Sequence, residues 1–294
     1  MDNFSPELLE CYCALVETGS FARAGKRIGR SQPAVSQRIK ELENSVGLTL
    51  YDRKKKSPTV VGKKFYELAR GYLRVHRRYN LLFGETLKGA ITELKIGSSD
   101  SFACYILPET IRRFFAIHPD LQLSVMTRNS NEIENMVIRG EVNLGIVAGP
   151  VEFSDLEQEI IYTTFLKLVI PNLPKFRGKK IGWVELGDIP FVSITPTTRT
   201  GRLIWEYLRM KKIYPRCVID SGSFSVVMEY VSQGFGYSIV PEMVAEDWRG
   251  VIKIGEIKDA PNINFFCIYP RGFPLSEMER NFIKLLKEVR SSHN

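Results

Sequence analysis

Pro33, Ser36, Gln37, Lys40 and Asn44 recur at a 3.6-residue period and bring hydroxyl, amide and ammonium groups to one helical face. Polar side chains of these kinds at that spacing suit hydrogen bonding to base edges in the major groove of a duplex. On the same wheel Ile39, Leu42 and Val46 lie within about 40° of Val35, on the opposite side. Such a helix buries one stripe and presents the other. Its chemistry is recognition rather than bond-making.

The elements that would position this face are signalled locally. Ser31 is an N-cap type, and Pro33 stands where a missing N–H costs little, so the spacing predicts a helix over Gln32–Val46. Ser20 likewise precedes Phe21, Ala24 and Ile28, which predicts a shorter helix before a tight turn. This pairing has the form of a helix-turn-helix, although an ordinary helical hairpin with a wet polar face has the same periodicity. Charge separates the two. Residues 1–90 carry 17 Lys and Arg against 9 Asp and Glu, and residues 91–294 carry 24 against 24. The whole positive excess therefore sits with the helix pair, and polyanionic nucleic acid is the partner that rewards it. The run Arg53-Lys54-Lys55-Lys56, after Leu48, Leu50 and Tyr51, reads as the tip of a β-hairpin wing, with a solvated basic loop as the alternative.

From about Thr59 to Lys88 the pattern predicts one long helix. Phe65, Leu68, Tyr72, Val75, Tyr79, Leu82 and Thr86 form a heptad seam, with Ala69, Leu73, His76 and Phe83 beside it and Arg70, Arg74, Arg77 and Arg78 outside it. The flanking chain offers no second heptad helix. A symmetric partner is therefore the simpler match than packing on the same chain. From Ile91 the character changes to alternating strands and helices. Strands are expected at 93–98, 121–127, 143–148, 158–171, 191–195, 218–220, 237–240 and 265–269. Helices are expected at 102–117, 133–139, 201–212, 225–233 and 277–289. This alternation implies βαβ units in mostly parallel sheets, arranged as two lobes with a cleft.

Composition removes several function classes. No apolar run approaches the roughly 20 residues that span a bilayer, and Asp2, Glu7 and Glu10 interrupt any leader-like start, so a cytoplasmic protein is expected. Cys11, Cys13, Cys104, Cys217 and Cys267 are odd in number and scattered, which argues against a disulfide framework. Cys11 and Cys13 point about 200° apart on a helix and cannot share a metal. His76, His118 and His293 have no metal or catalytic spacing, and no Walker, G-x-G-x-x-G or G-x-S-x-G motif occurs. Neither a metal nor a cofactor is expected. An enzyme on the two-lobed half lacks a nucleophile–base arrangement. A sequence-blind architectural protein has no need of a neutral two-lobed half.

Over nearly its whole length the chain resembles the LysR-type transcriptional regulators. The resemblance rests on Gly19-Ser20-Phe21, on Ser31-Gln32-Pro33-Ala34-Val35-Ser36 and on Ile39-Lys40-Glu41-Leu42-Glu43. Gly47-Leu48 with Leu50-Tyr51-Asp52-Arg53 adds to it, as do Ile96-Gly97-Ser98-Ser99, Leu107-Pro108, Val231-Ser232-Gln233-Gly234-Phe235-Gly236 and Ile239-Val240-Pro241. It implies a mixed fold. A winged helix-turn-helix would occupy 1–58 and a dimerising linker helix 59–90. A two-lobed α/β effector-binding domain like periplasmic solute-binding proteins would occupy 91–294, with lobe I about 91–163 and 266–294 and lobe II about 164–265. It also implies homotetramers that bend double-stranded promoter DNA and respond to a small-molecule effector. Three positions depart from the family pattern: Gly25 replaces an alanine, Arg30 an apolar residue, and Gln37-Arg38 inverts the usual order. A helical glycine costs roughly 0.5–1 kcal/mol against alanine, so a slightly looser second helix is expected.

Carried over residue by residue, the resemblance puts Gln32, Pro33, Ser36, Gln37 and Lys40 in the major groove. Arg38, Arg53 and Lys54 would hold the DNA backbone, with Ser20, Arg23 and Ser31 assisting at helix starts. The effector would lie between the lobes against Ser99, Asp100 and Ser101, Thr127 and Arg128, Thr195, Thr197, Thr198 and Arg199, and Ser221 and Ser223. Hydroxyls and free N–H groups at helix starts favour a small organic or inorganic anion, with Arg128, Arg199 and Arg202 supplying charge. Each Ser or Thr taken alone is equally a cap on its own helix, and Asp100 would oppose an anion.

Overall fold

The computed structural model describes residues 5–87, 93–151, 153–172, 186, 189–257 and 259–289. The chain divides into two compact units, Met1–Ala90 and Ile91–Asn294.

The first unit comprises α1 (Pro6–Thr18), α2 (Phe21–Ile28), α3 (Gln32–Val46), the two-residue strands β1 (Tyr51–Asp52) and β2 (Ser57–Pro58), and α4 (Val60–Leu87). Ser5, Ser20 and Ser31 cap the first three helices through their hydroxyls. Gly29 and Gly47 end α2 and α3 at φ 67° and 71°, a left-handed conformation that Cβ-bearing residues rarely adopt. The stripe read on the wheel is the core. Val35, Ile39 and Leu42 are fully buried in one cluster with Leu9, Tyr12 and Leu15 of α1, on which α4 also packs through Ala69 and Leu73, with Val46 partly buried at the edge. The Tyr12 hydroxyl donates to the Gly62 carbonyl at 2.9 Å and lies 3.2 Å from that of Leu50. It thereby ties α1 to both the wing and α4. Of the heptad seam, Phe65 packs against this core, but Leu68, Tyr72, Val75 and Tyr79 are 74%, 49%, 51% and 53% exposed. The side chains at Leu82, Phe83 and Thr86 lie outside the described residues.

The second unit holds two layers, one a five-stranded sheet and the other a three-stranded beside a two-stranded sheet. In the first, the order is β4 (Gln122–Thr127), β3 (Glu93–Ser98), β5 (Leu144–Ala148), β12 (Ile263–Pro270), β6 (Leu156–Thr164). In the second, β10 (Ser238–Pro241), β7 (Leu166–Pro171) and β11 (Ile252–Glu256) pair side by side, and β8 (Phe191–Ile194) pairs with β9 (Cys217–Ser221). A bridge between Phe191 and Tyr237 joins β8 to the start of β10. The helices are α5 (Asp100–Tyr105), α6 (Leu107–Ile117), α7 (Ser130–Ile138), α8 (Arg199–Met210), α9 (Phe224–Ser232), α10 (Glu242–Asp247) and α11 (Glu277–Val289).

Three expectations are corrected here. The sheets are mixed rather than mostly parallel: β12 runs antiparallel to β5 and β6, and β7 antiparallel to β10 and β11. The cause is the double crossing of the chain. The chain passes from β6 into β7 at Phe165, and returns from β11 to β12. The expected helix 102–117 is two helices, because Pro108 lacks an N–H and its ring would strike the carbonyl four residues back. The β-like run 158–171 is likewise two strands in different sheets. Neither β11 nor α10 was expected. Both are too short to leave a clear period in the sequence.

Candidate functional site

The polar face of α3 is built by neighbours that hold it outward. Glu43, near the end of α3, accepts from the Leu50 and Tyr51 N–H groups at 2.8 and 3.0 Å and so fixes the start of the wing against this helix. Asp52 Oδ1 accepts from Lys54 N and Lys55 N, folding the wing tip into a tight turn. Gly25 sets the approach of α2 to α3: a Cβ there would stand 2.5 Å from the Arg30 carbonyl oxygen, and Arg30 N–H bonds the Gly25 carbonyl at 2.9 Å. The glycine is therefore a condition of the tight turn rather than a looseness in α2.

Gln32, Pro33, Gln37 and Lys40 are exposed, and Ser36 is half-buried beside them. Arg53 reaches from the wing to Ser36, donating to its hydroxyl at 3.4 Å while its guanidinium lies 5.3 Å from the Phe21 ring centroid. Lys54 is exposed at the wing tip. Ser20 and Ser31 accept from Arg23 N and Ala34 N at 3.5 and 3.4 Å, so both act as helix caps, and Arg23 donates to the Thr18 carbonyl. Arg38 does not fit the expectation. It turns back onto α1, where Glu7 takes its guanidinium at 2.9 Å, so a phosphate would have to compete with that carboxylate. Arg27 and Arg77 pair similarly with Glu17 and Glu10. Among the described residues no carboxylate pairs with Lys40, Lys54, Lys55 or Lys56.

In the second unit a cavity of about 290 Å³ lies between the two sheets' lobes. Of the residues expected there, Ser99, Asp100, Ser101, Thr127, Arg128, Thr198, Arg199 and Ser223 line it. Thr195, Thr197 and Ser221 do not. Thr195 and Thr197 share a hydroxyl contact at 3.2 Å, and Ser221 Oγ accepts from Ser223 N at 3.2 Å, so these three shape the loops behind the wall. Arg202 borders a neighbouring groove with Glu206, Asn262 and Asn264.

The charge of Arg199 is already met. Its guanidinium is bidentate to Glu134 of α7, at 2.7 and 2.9 Å, and also donates to Asn131 Oδ1 at 2.8 Å and the Ala148 carbonyl at 3.1 Å. The two side chains are 8% and 0% exposed. This pair bridges the lobes and adds no net charge to the cavity, which corrects the expectation that Arg199 supplies charge to an anion. Asp100 accepts from Ser223 Oγ at 2.7 Å, and Tyr105 meets Ser225 at 3.2 Å, giving two more links across the cleft. Partial burial, then the Asp100 carboxylate, pushes the neighbouring Cys104 thiol up.

Sequence reasoning missed Asn129, Ser130 and Phe224 in the wall. Asn129-Ser130 after a strand was a readable cap signal, since Asn129 Oδ1 caps α7 through Glu132 N at 3.0 Å. Nothing local announces the Glu134–Arg199 pair across 65 residues. Among the described residues no group of three His, Cys, Asp or Glu could hold a metal, and no helix is long and apolar enough to cross a membrane.

Residues 6–63 match the model of the bacterial regulatory helix-turn-helix protein, lysR family, and residues 88–291 that of the LysR substrate binding domain. The chain belongs to the LysR family. Like other LysR-type regulators it is a DNA-binding transcriptional regulator with an effector-binding domain. It is 24% identical over 290 residues to the Hca operon transcriptional activator HcaR of Escherichia coli, covering 97% of each chain. It is 27% identical over 251 residues to the regulator CysL of Bacillus subtilis, covering 81% of each. Among solved structures, CbnR, a LysR family transcriptional regulator, superposes with a TM-score of 0.64 at 20% identity, covering 98% of this chain and 99% of that one. CbnR complexed with its target DNA gives 0.61 at 21%, covering 97% and 100%. At these identities the structural likeness bears on the fold.

Proposed function

We propose that this LysR-type regulator reads a promoter half-site with the exposed face of α3. Gln32, Pro33, Ser36, Gln37 and Lys40 face the bases, Arg53 and Lys54 hold the phosphates, and Ser20, Arg23 and Ser31 assist at the helix starts. The observation that carries this reading is the sorting of charge in the first unit. Arg27, Arg38 and Arg77 have carboxylate partners on α1, while Lys40 and the wing lysines have none among the described residues. The outward seam Leu68, Tyr72, Val75 and Tyr79 supports self-association through α4 to a dimer, and onward to a tetramer. The cavity between the lobes takes an effector that carries an oxyanion group. Its binding changes the lobe closure and thereby the spacing of the DNA-binding units and the bend of the DNA. The protein works as a regulator in the cytoplasm rather than as an enzyme.

Binding-site selection with wild-type protein and two variants tests the DNA reading. Gln37→Ala should relax preference at one or two base positions. Lys54→Ala should weaken all sequences alike and lower the salt slope by about 1. Unchanged base preference in Gln37→Ala would remove the base-reading role.

A further inference from the structure

The cavity between the lobes combines two features that a simple anion does not explain together. One is an array of unmet donors. Ser101, Ser130 and Thr200 are 7%, 8% and 8% exposed, line the cavity, and have no hydrogen-bond partner among the described residues. The buried Ser99 hydroxyl is also unpartnered. Three helices of nine or more residues begin at this wall. Asn129 caps only Glu132 N in α7, Thr198 caps only Gly201 N in α8, and Ser223 makes no side-chain cap on α9, so leading N–H groups are left for a ligand. Hydroxyls and helix starts together describe a pocket for oxygen atoms bearing negative charge.

The other feature is the sign of the charge inside. Arg199 is neutralised by Glu134, and Arg128 is exposed at the rim with its guanidinium on the Thr127 carbonyl at 2.7 Å. Asp100 also lines the cavity and has no cationic partner among the described residues. One Ser223 hydroxyl at 2.7 Å, with Cys104 Sγ at 3.9 Å, leaves most of the acceptor capacity of this carboxylate unused. A carboxylate facing an anion in a confined, low-dielectric space would be repulsive. The same carboxylate is favourable if the ligand brings its own cation.

We propose that the effector is a compact zwitterion of the α-amino-acid type. Its carboxylate sits on the hydroxyls of Ser101, Ser130 and Thr200 and on the starts of α7 and α8, and its ammonium on Asp100. A volume of about 290 Å³, at the small end for ligand pockets, suits such a molecule better than a drug-sized one. This rests on the effector reading above and narrows its chemistry.

The test is calorimetric titration of the full-length protein with the protein amino acids, each beside its deaminated acid and its decarboxylated amine, and with sulfate. The expected result is an amino acid that binds at least tenfold tighter than either single-charge analogue. Asp100→Asn should weaken that amino acid tenfold or more and tighten the deaminated acid. Opposite signs from one variant cannot come from misfolding, which would weaken both. If a simple acid or sulfate binds best and Asp100→Asn only tightens it, the zwitterion is overturned and the oxyanion reading stands. If no amino acid, acid or sulfate binds, both fall.

Discussion

Removing the Glu134 carboxylate should destabilise the second unit more than any surface change, and the size follows from burial. The Arg199 side chain is 8% exposed, and Glu134 at 0% is its only carboxylate among the described residues. Two opposite charges about 4 Å apart interact by about 4 kcal/mol at an effective dielectric constant of 20. Breaking a buried pair by deleting one partner typically costs about 3–5 kcal/mol, because the surviving charge stays desolvated. Glu134→Ala should therefore lower the unfolding temperature of residues 91–294 by on the order of 6–20 °C, taking about 2–4 °C per kcal/mol for a unit of this size. Arg199→Leu should cost a similar amount. The double variant Glu134→Leu, Arg199→Leu leaves no orphaned charge, so it should cost clearly less than the two singles added, with a coupling of about 2 kcal/mol or more. Differential scanning calorimetry of the full-length protein reads all three, with the first unit's transition as an internal reference. Single costs below about 1 kcal/mol, or strict additivity in the double variant, would refute the idea that this pair locks the lobes electrostatically.

Gly25→Ala should destabilise the first unit by about 1–3 kcal/mol, against the modest gain that helix propensity alone forecasts, since its Cβ would meet the Arg30 oxygen at 2.5 Å; urea unfolding gives the sign. Of the five thiols, only the exposed Cys104 and Cys217 should react with an aromatic disulfide reagent at pH 8 before unfolding. Cys11, Cys13 and Cys267 are buried, and burial, then the Glu17 carboxylate, pushes the Cys13 thiol up to about 12. Hydrogen bonds from Lys287 and Tyr269 hold the Glu159 carboxyl below its usual range. Its contribution is thus present above the unfolded value near 4.3 and lost as pH falls through the lower folded one. The difference in unfolding temperature between wild type and Lys287→Met should accordingly be present at pH 7 and close on acidification.

The elements legible in the sequence are those whose signals are local. Ser31 and Pro33 start α3 where the cap pattern put them, and the apolar period of Val35, Ile39 and Leu42 is the buried stripe. Most strands of the second unit lie within a residue or two of their hydrophobic runs. What periodicity could not carry was direction. A strand's pattern of side chains reads the same whether its neighbour runs with it or against it. The antiparallel place of β12 between β5 and β6 therefore depends on a crossing that no local pattern encodes. Pro108 was readable in hindsight, since a proline inside a helical period ends or kinks the helix.

Charge shows the same division more sharply, because the sequence counts formal charges and the fold decides which of them remain unpaired. In the first unit Glu7, Glu10 and Glu17 of α1 take Arg38, Arg77 and Arg27, and among the described residues Lys40 and the wing cations are among those that keep no carboxylate partner. Pairing there strengthens the nucleic-acid reading by removing cations from the wrong side. In the cleft it acts in the opposite direction. Arg199, counted in the sequence among the groups that would attract an anion, is cancelled by a glutamate 65 residues away, and Asp100 is left in the wall without a counter-ion among the described residues, with Arg128 exposed at the rim. Total charge thus predicts the partner of a surface, where most groups stay wet. For an enclosed site a single long-range pair can reverse the sign, and ligand charge must be read from which groups the fold leaves without a counter-ion.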